Sequence, residues 1–205
     1  MFLALLLSCT VSCKNYNSIL EKVYEDDQAS RQWTHNMSSL SAEEIIRFNK
    51  EMQSSDSMYQ NIVFRMLDKV GWPGGLSEKA NKAIWIVIDH SDIKNQQKYL
   101  PLVISQSGKG VISKADCAVL QDRILMGIGK PQIYGTQIKM SATIIGNERS
   151  FVYNLWPVEN AGRIDSIRNS VGLNPVEEYL ADEKEHIGAD IVWDRNKTVS
   201  DFLSE

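Results

Sequence analysis

An aspartate followed by an arginine is the pair in this sequence best suited to polar chemistry. Asp122 falls on the apolar face of a helix predicted over 113–126. A carboxylate on a buried face must be paired or hydrogen-bonded, because an isolated buried charge is very costly. We expect the partner to be Arg31, Arg123 or His90. The pair would then either fix the helix register or form part of a ligand site.

The heptapeptide Pro-Gln-Ile-Tyr-Gly-Thr-Gln at 131–137 follows that helix and is unusually rich in hydrogen-bonding side chains. Alternation along the strand predicted here places Gln132, Tyr134 and Thr136 on one side and Gln137 on the other. Three polar side chains on one face exceed what a turn requires. We interpret the segment as one wall of a polar cluster.

His90 ends the helix predicted over 79–91, where the helix dipole favours a protonated imidazole. Its ordinary pKa makes it a candidate general base, although a lone histidine can also be a capping residue. The sequence contains no HExxH, CxxC or GxSxG motif, and Cys117 has apolar neighbours on a predicted helix. We therefore predict no metal and no cofactor.

Helix-start signals set out the elements that must position these residues. Ser41 followed by Glu44 has capping-box spacing, and Ser77 and Ser113 precede further amphipathic runs. A Ser/Asp cluster at 54–57 indicates a break or a fresh cap. These signals, with the apolar periodicity between them, predict a protein built mainly of helices.

Two β-prone runs, 133–145 and 150–156, flank a turn and predict a β-hairpin. We therefore predict a mainly α-helical α+β fold, a single domain of about six to eight helices with the hairpin inserted near residues 133–156.

The chain divides by composition into four predicted segments. A first helix is predicted from Ser18 to Trp33, and Pro101 is expected to kink a later helix or to start a new one. The predicted segments are a signal peptide with a lipobox (1–13), a tether (14–18), a single globular domain (19–187) and a charged C-terminal tail (188–205).

The apolar start of the chain, Met-Phe-Leu-Ala-Leu-Leu-Leu-Ser-Cys, resembles a signal sequence ending in a bacterial lipobox. Lipidation is predicted at Cys9, with Cys13 as a second choice, although no positive charge precedes Phe2. The predicted partner is then a membrane, reached through the lipid anchor. The predicted location is the bacterial cell envelope, at the periplasmic face or the outer membrane.

The charge of the chain argues against one class of partner. The formal net charge is -4 and the isoelectric point about 5.5. Lysines and arginines are scattered, with no basic run of the kind that nucleic-acid binders carry. We therefore predict no nucleic-acid partner.

An ordered set of motifs resembles a bacterial family of unknown function whose members are often secreted or lipid-anchored. The resemblance covers about residues 20–180, and its most specific part is Asp122-Arg123 followed by Gln-x-Tyr-Gly-Thr-Gln. The family pattern has Gln before the histidine, where this chain has Asp89. The resemblance implies a shared fold and polar site, without a reaction. The motifs are Asp27-Gln28-Ala-Ser-Arg31, Gly71-Trp72-Pro73, His90, Asp122-Arg123, Gln132-Ile-Tyr134-Gly135-Thr136-Gln137 and Asn174-Pro-Val-Glu-Glu-Tyr179.

Three functions remain open from the sequence. The first is a cell-envelope lipoprotein that binds a polar small molecule or peptide in an internal polar site. The second is an envelope hydrolase or transferase with Asp122 or His90 as general base and Arg123 holding negative charge. The third is an interaction protein whose polar core is only structural. The predicted ligand-binding residues are Arg31, His90, Asp122, Arg123, Gln132, Tyr134, Thr136 and Gln137.

Overall fold

A computed structural model describes the chain over residues 2–32, 40–145 and 148–203. The described residues form eight α-helices and one three-stranded sheet, which confirms the mainly α-helical α+β class and the predicted number of helices. The backbone divides into two compact units, residues 1–112 and 113–205.

Unit 1 consists of four helices. Its centre is the third helix, in which every side chain from Ala83 to Asp89 is buried and which packs against the other three. A helix that is apolar on nearly all sides requires such a central position. The four helices are α1 (Phe2–Arg31), α2 (Ala42–Val70), α3 (Glu78–Asp89) and α4 (Ile93–Gly108).

Serine caps start two of these helices as predicted. Ser41 and Glu44 form a reciprocal capping box, and the Ser77 hydroxyl accepts from the backbone N–H of Ala80. The break predicted at 54–57 was wrong, because α2 continues through that cluster to Val70. Ser54 and Ser57 are exposed on this helix, and Asp56 is half-buried in an ion pair with Arg31 of α1, so the cluster fits within a continuous helix.

The first helix is longer than predicted. It runs through residues 14–18, where a tether was expected, and ends at Arg31. Trp33 and the side chain of Cys9 lie outside the described residues. Pro101 lies inside α4, which is continuous from Ile93 to Gly108, so no new helix starts there.

Unit 2 surrounds the predicted hairpin with short helices. β1 and β2 pair antiparallel in the register that joins Ile138 to Leu155, and β3 joins β2 in parallel. The hairpin is therefore confirmed, but β1 begins five residues later than the start predicted at 133. The elements are α5 (Lys114–Gly127), β1 (Ile138–Ile145), β2 (Glu148–Leu155), a 3₁₀ turn (Ala161–Arg163), α6 (Ile164–Ser170), α7 (Val176–Ile187), β3 (Ile191–Val192) and α8 (Val199–Leu203).

The C-terminal segment is part of the core of unit 2. Ile191 and Trp193 pack against the cluster formed by Leu155, Ile164, Val176 and Leu180. The ring of Phe202, 2% exposed, lies 5.3 Å from that of Trp156. The residues predicted as a tail thus contribute a strand and a buried aromatic side chain.

Candidate functional site

The heptapeptide 131–137 wraps around the carboxylate of Asp122. Asp122 is 0% exposed, and its Oδ1 accepts hydrogen bonds from the backbone N–H groups of Ile133 (2.7 Å) and Tyr134 (3.1 Å). Its Oδ2 accepts from the N–H groups of Tyr134 and Thr136 and from the Thr136 hydroxyl. Burial raises the pKa of Asp122, and these hydrogen bonds oppose the rise.

The predicted partner of Asp122, a basic side chain, was wrong. An arginine or His90 was predicted, whereas all the hydrogen bonds to its carboxylate described here come from the loop. Backbone N–H groups carry partial positive charge and can solvate a carboxylate without a cation. Asp122 therefore shapes the loop that follows its helix.

The side chain of Gln132 links the start of the same loop to its end by hydrogen bonds. Its side chain is 0% exposed, and its Nε2 donates to the carbonyls of Gln137 (3.1 Å) and Trp156 (2.6 Å). Its Oε1 accepts from the N–H of Gln137 at 2.8 Å. Gly135, at φ 66°, supplies the left-handed turn between them. The strand alternation predicted for 131–137 was therefore wrong, because these residues form a loop.

Arg168, on α6, binds the opposite side of this loop. Its Nη1 donates to the carbonyls of Tyr134 (2.8 Å) and Gly135 (2.9 Å), and its Nε donates to the carbonyl of Asn174. Arg168 is 1% exposed, and it forms no ion pair with any carboxylate in the described part of the chain. Burial lowers the pKa of Arg168. The hydrogen bonds of its guanidinium all go to carbonyl oxygens, and the nearby charges of Asp165 and Asp122 oppose the fall in pKa.

A cleft of about 460 Å³ opens in unit 2 beside these residues. This volume lies within the range of small-molecule sites, which combine apolar walls with a few polar groups. The lining side chains with polar groups are Arg123, Thr136, Gln137, Tyr153, Arg168, Tyr179 and Glu183. The apolar lining includes Val119, Ile138, Met140, Leu173 and Ile187.

Two lining residues, Tyr179 and Glu183, lie one turn apart on α7. The Tyr179 hydroxyl donates to the carbonyl of Thr136 at 2.8 Å. Burial raises the pKa of Glu183, the charge of Asp182 adds to the rise, and His186 opposes it. Glu183 makes no hydrogen bond or ion pair to other described residues. It is a half-buried carboxylate that borders the cleft.

A second polar cluster lies in unit 1. Asp27, 1% exposed, accepts from Arg31 Nη1 at 2.6 Å and lies 3.0 Å from His90 Nδ1. Arg31 Nη2 reaches Asp56 at 2.7 Å, so the arginine joins α1 to α2. A carboxylate can only accept, so the short contact places the proton of neutral His90 on Nδ1. His90 Nε2 then lies 4.0 Å from an oxygen of Asp89.

The predicted site residues thus fall into two clusters, one in each unit. Arg31 and His90 belong to unit 1, where they meet at Asp27. The others belong to unit 2, and of these Arg123, Thr136 and Gln137 line the cleft. The remaining three are Asp122, Gln132 and Tyr134. Asp122 and Gln132 are fully buried and use their polar atoms within the protein, while Tyr134 contributes its backbone to the loop.

The cleft lining also includes Arg168, Tyr179 and Glu183, which were not among the predicted site residues. Arg168 lies in a segment that read as an ordinary polar helix, and no local pattern marks its burial. Tyr179 and Glu183 carried a weak signal, because residues four apart share a helix face.

The segment from residue 17 to residue 191 matches the model of a family of unknown function, DUF6624. The chain belongs to this family. The DUF6624 segment includes every predicted ligand-binding residue, and Cys9 lies before it. The family of unknown function expected from the motifs is thereby confirmed. No curated protein and no solved structure was found to match the chain.

The described residues contain neither a membrane-spanning helix nor a cluster of metal-ligating side chains. No helix in the described ranges has the length and apolar character needed to span a bilayer. No group of three or more His, Cys, Asp or Glu side chains, among those described, is arranged to hold a metal ion.

Proposed function

We propose that the protein binds a small polar anion in the cleft of unit 2. The observation that carries the proposal is Arg168, a buried arginine that borders the cleft and has no carboxylate partner in the described residues. A buried charge is costly unless it is paired, and the carbonyls of the loop offer only dipoles. The charges of Asp165 and Asp122 act on Arg168 only from a distance, and a bound carboxylate or phosphate would place a negative charge in direct contact with it.

The rest of the cleft supports this proposal. Arg123 adds a second guanidinium to the lining, and an arginine fork suits bidentate binding of planar or tetrahedral anions. Gln137 offers an amide to a hydroxyl or carbonyl of the ligand. The apolar walls would exclude water and strengthen these contacts.

A thermal-shift series tests the proposal. The wild type, Arg123→Gln and the matched control Arg163→Gln, an exposed arginine of the same unit, are heated with succinate, inorganic phosphate and N-acetylalanine. At least one anion should raise the melting temperature of the wild type and the control, and raise that of Arg123→Gln by less. Equal shifts in all three proteins would contradict the proposal.

Arg168 needs a gentler change, because it also holds the loop. Arg168→Lys keeps the positive charge but loses the planar fork. We expect this variant to remain folded, with weaker anion binding than the wild type. Isothermal titration calorimetry at fixed chloride concentration measures the difference.

A second candidate function is acid–base catalysis at His90. The contact between His90 Nδ1 and buried Asp27, at 3.0 Å, favours it, because a carboxylate there fixes the ring and leaves Nε2 as the accepting nitrogen. Asp122 is a poor general base, since both of its oxygens accept hydrogen bonds from the loop. A hydrolase screen with nitrophenyl esters and phosphates should detect activity in the wild type and none in His90→Gln.

We further propose that Cys9 carries a lipid that holds the protein at the bacterial cell envelope. Leu6-Leu7-Ser8-Cys9 supports this by its likeness to a lipobox. Metabolic labelling with an alkyne fatty acid should mark the full chain and its Cys13→Ser variant, and should fail on Cys9→Ser. Labelling that Cys9→Ser leaves unchanged would contradict the proposal.

A further inference from the structure

We propose that the ligand of the cleft is a small zwitterion with separated charges, of the class of a dipeptide with free termini. This inference rests on the proposed anion-binding function and names the chemical class of the anion. The ligand carboxylate would lie with the arginines, and its ammonium group with Glu183.

Glu183 is the first observation behind this proposal. It borders the same cleft as Arg123 and Arg168, yet it forms no hydrogen bond or ion pair with the described residues. His186, one turn further along α7, opposes the rise in the Glu183 pKa but makes no ion pair with it, so a cationic ligand group in the cleft would stabilise this half-buried carboxylate.

Tyr179 interacts with both the arginines and the glutamate of the cleft. The Arg168 guanidinium lies 4.8 Å from the centre of the Tyr179 ring, while Glu183 follows one turn later on α7. Burial raises the pKa of Tyr179, Glu183 adds to the rise, and Arg168 and Arg123 oppose it. Positive and negative groups that line the cleft therefore both influence one tyrosine.

Other ligand classes fit the cleft less well. A ligand with only negative charge would meet Arg168 and Arg123 but be repelled by ionised Glu183. A ligand with only positive charge would leave the buried arginine without a counter-ion. A ligand with one negative and one positive group can pair with the arginines and with Glu183 at the same time.

The spacing between the Arg168 guanidinium and Glu183 favours a ligand whose two charged groups are well separated. One helical turn, about 5.4 Å, lies between Tyr179 and Glu183, and the guanidinium is on the ring of Tyr179. An extended dipeptide spans about 7 Å, with apolar side chains that can meet the cleft walls. A single α-amino acid holds its two charges much closer together.

Matched dipeptides test the proposal on the full chain by isothermal titration calorimetry. The probes are Ala-Ala, Ala-Phe and Ala-Glu, each as the free peptide, as the N-acetyl form that lacks the ammonium, and as the C-terminal amide that lacks the carboxylate. The proteins are the wild type, Glu183→Gln and the control Glu178→Gln, which alters an exposed residue of the same helix.

We expect at least one free dipeptide to bind the wild type and Glu178→Gln at least tenfold more tightly than its N-acetyl form. This ratio should fall towards one in Glu183→Gln, and the amides should bind weakly everywhere. Glu183→Gln should fold normally, since it removes an unpartnered carboxylate.

The two proposals fail in different ways. If the N-acetyl forms bind the wild type as tightly as the free peptides, the zwitterion is wrong and anion binding stands. If the ratio survives in Glu183→Gln, the assignment of Glu183 is wrong. If no carboxylate-bearing probe binds in the calorimeter, and succinate and phosphate also fail in the thermal-shift series, both proposals are overturned.

Discussion

Asp27 and Asp122 are both fully buried, yet the protein compensates their loss of water in different ways. Asp27 in unit 1 meets other ionisable groups, since it accepts from Arg31 and contacts His90. Asp122 in unit 2 meets backbone N–H groups and one hydroxyl, with no cationic donor in the described residues. One cluster is neutralised by charge, and the other is solvated by dipoles.

The difference follows from the course of the backbone between the opposite charges. The loop of unit 2 presents its N–H groups to Asp122 and its carbonyls to Arg168, so the backbone separates two groups that could otherwise form an ion pair. Among the described residues of unit 1 no loop separates the charges, and Arg31 pairs directly with Asp27 and Asp56. Arg168 has carbonyl and aromatic partners in the described part of unit 2 instead of a carboxylate.

The largest effect that would test this comparison is expected for Asp122→Asn. Both oxygens of Asp122 accept from N–H groups, so either orientation of an asparagine amide places a donor against a donor. We expect a loss of about 2–4 kcal/mol in the free energy of unfolding of unit 2. Urea unfolding measures the loss, and hydrogen exchange should locate it at 131–137. A loss no larger than that of the exposed control Asp182→Asn would contradict the dipole account.

A smaller effect is expected for Arg31→Gln in unit 1, about 1–3 kcal/mol, because the side chain is 18% exposed and its ion pairs are partly solvated. This penalty should shrink between 0.05 M and 0.5 M sodium chloride, whereas the Asp122→Asn penalty should stay constant. The same salt response in both variants would remove the distinction between charge and dipole compensation.

Gly135→Ala should cost about 1–2 kcal/mol, because φ is 66° and an alanine there is strained. The nearest atom to an added Cβ would be Ile164 Cδ1 at 3.5 Å, an ordinary contact, so strain rather than a clash sets the cost. Gly162→Ala, at a glycine with negative φ and open space, is the matched control. Thermal unfolding should separate the two variants, and equal stability would contradict the left-handed turn.

The smallest effect concerns the pH dependence of Glu183. The pKa of Glu183 is raised in the folded state, so its protonated form stabilises unit 2 below the ordinary glutamate pKa, and that contribution is lost as pH rises through the folded pKa. Glu183→Gln should therefore gain stability relative to the wild type from pH 4 to pH 8, as followed by urea unfolding. A constant difference across this range would show that Glu183 is not desolvated.

Local signals in the sequence predicted much of the fold. Serine caps at Ser41, Ser77 and Ser113 have a local chemical cause, and all three begin helices. The burial of Asp122 was predicted from its position on the apolar face of its helix. The β-hairpin followed from the change in apolar period.

The hydrogen bonds of the candidate site could not be predicted in the same way. Asp122 is bound by backbone N–H groups, which almost every residue carries, so no side-chain pattern marks them. Arg168 reaches a loop more than thirty residues earlier in the chain, a contact that helix periodicity does not encode. The sequence marked the polar heptapeptide 131–137. The prediction assigned the polar contacts to its side chains, whereas its backbone makes most of the hydrogen bonds to Asp122.

The contact between the tilted rings of Phe202 and Trp156 bears on how the chain acquires its structure during synthesis. Unit 1 has all four of its helices once residue 112 has left the ribosome. The ring of unit 2 that packs against Trp156 is added only when Phe202 has emerged. Translation therefore supplies the two units in sequence, with the charge-paired cluster assembled before the loop around Asp122 is locked in place.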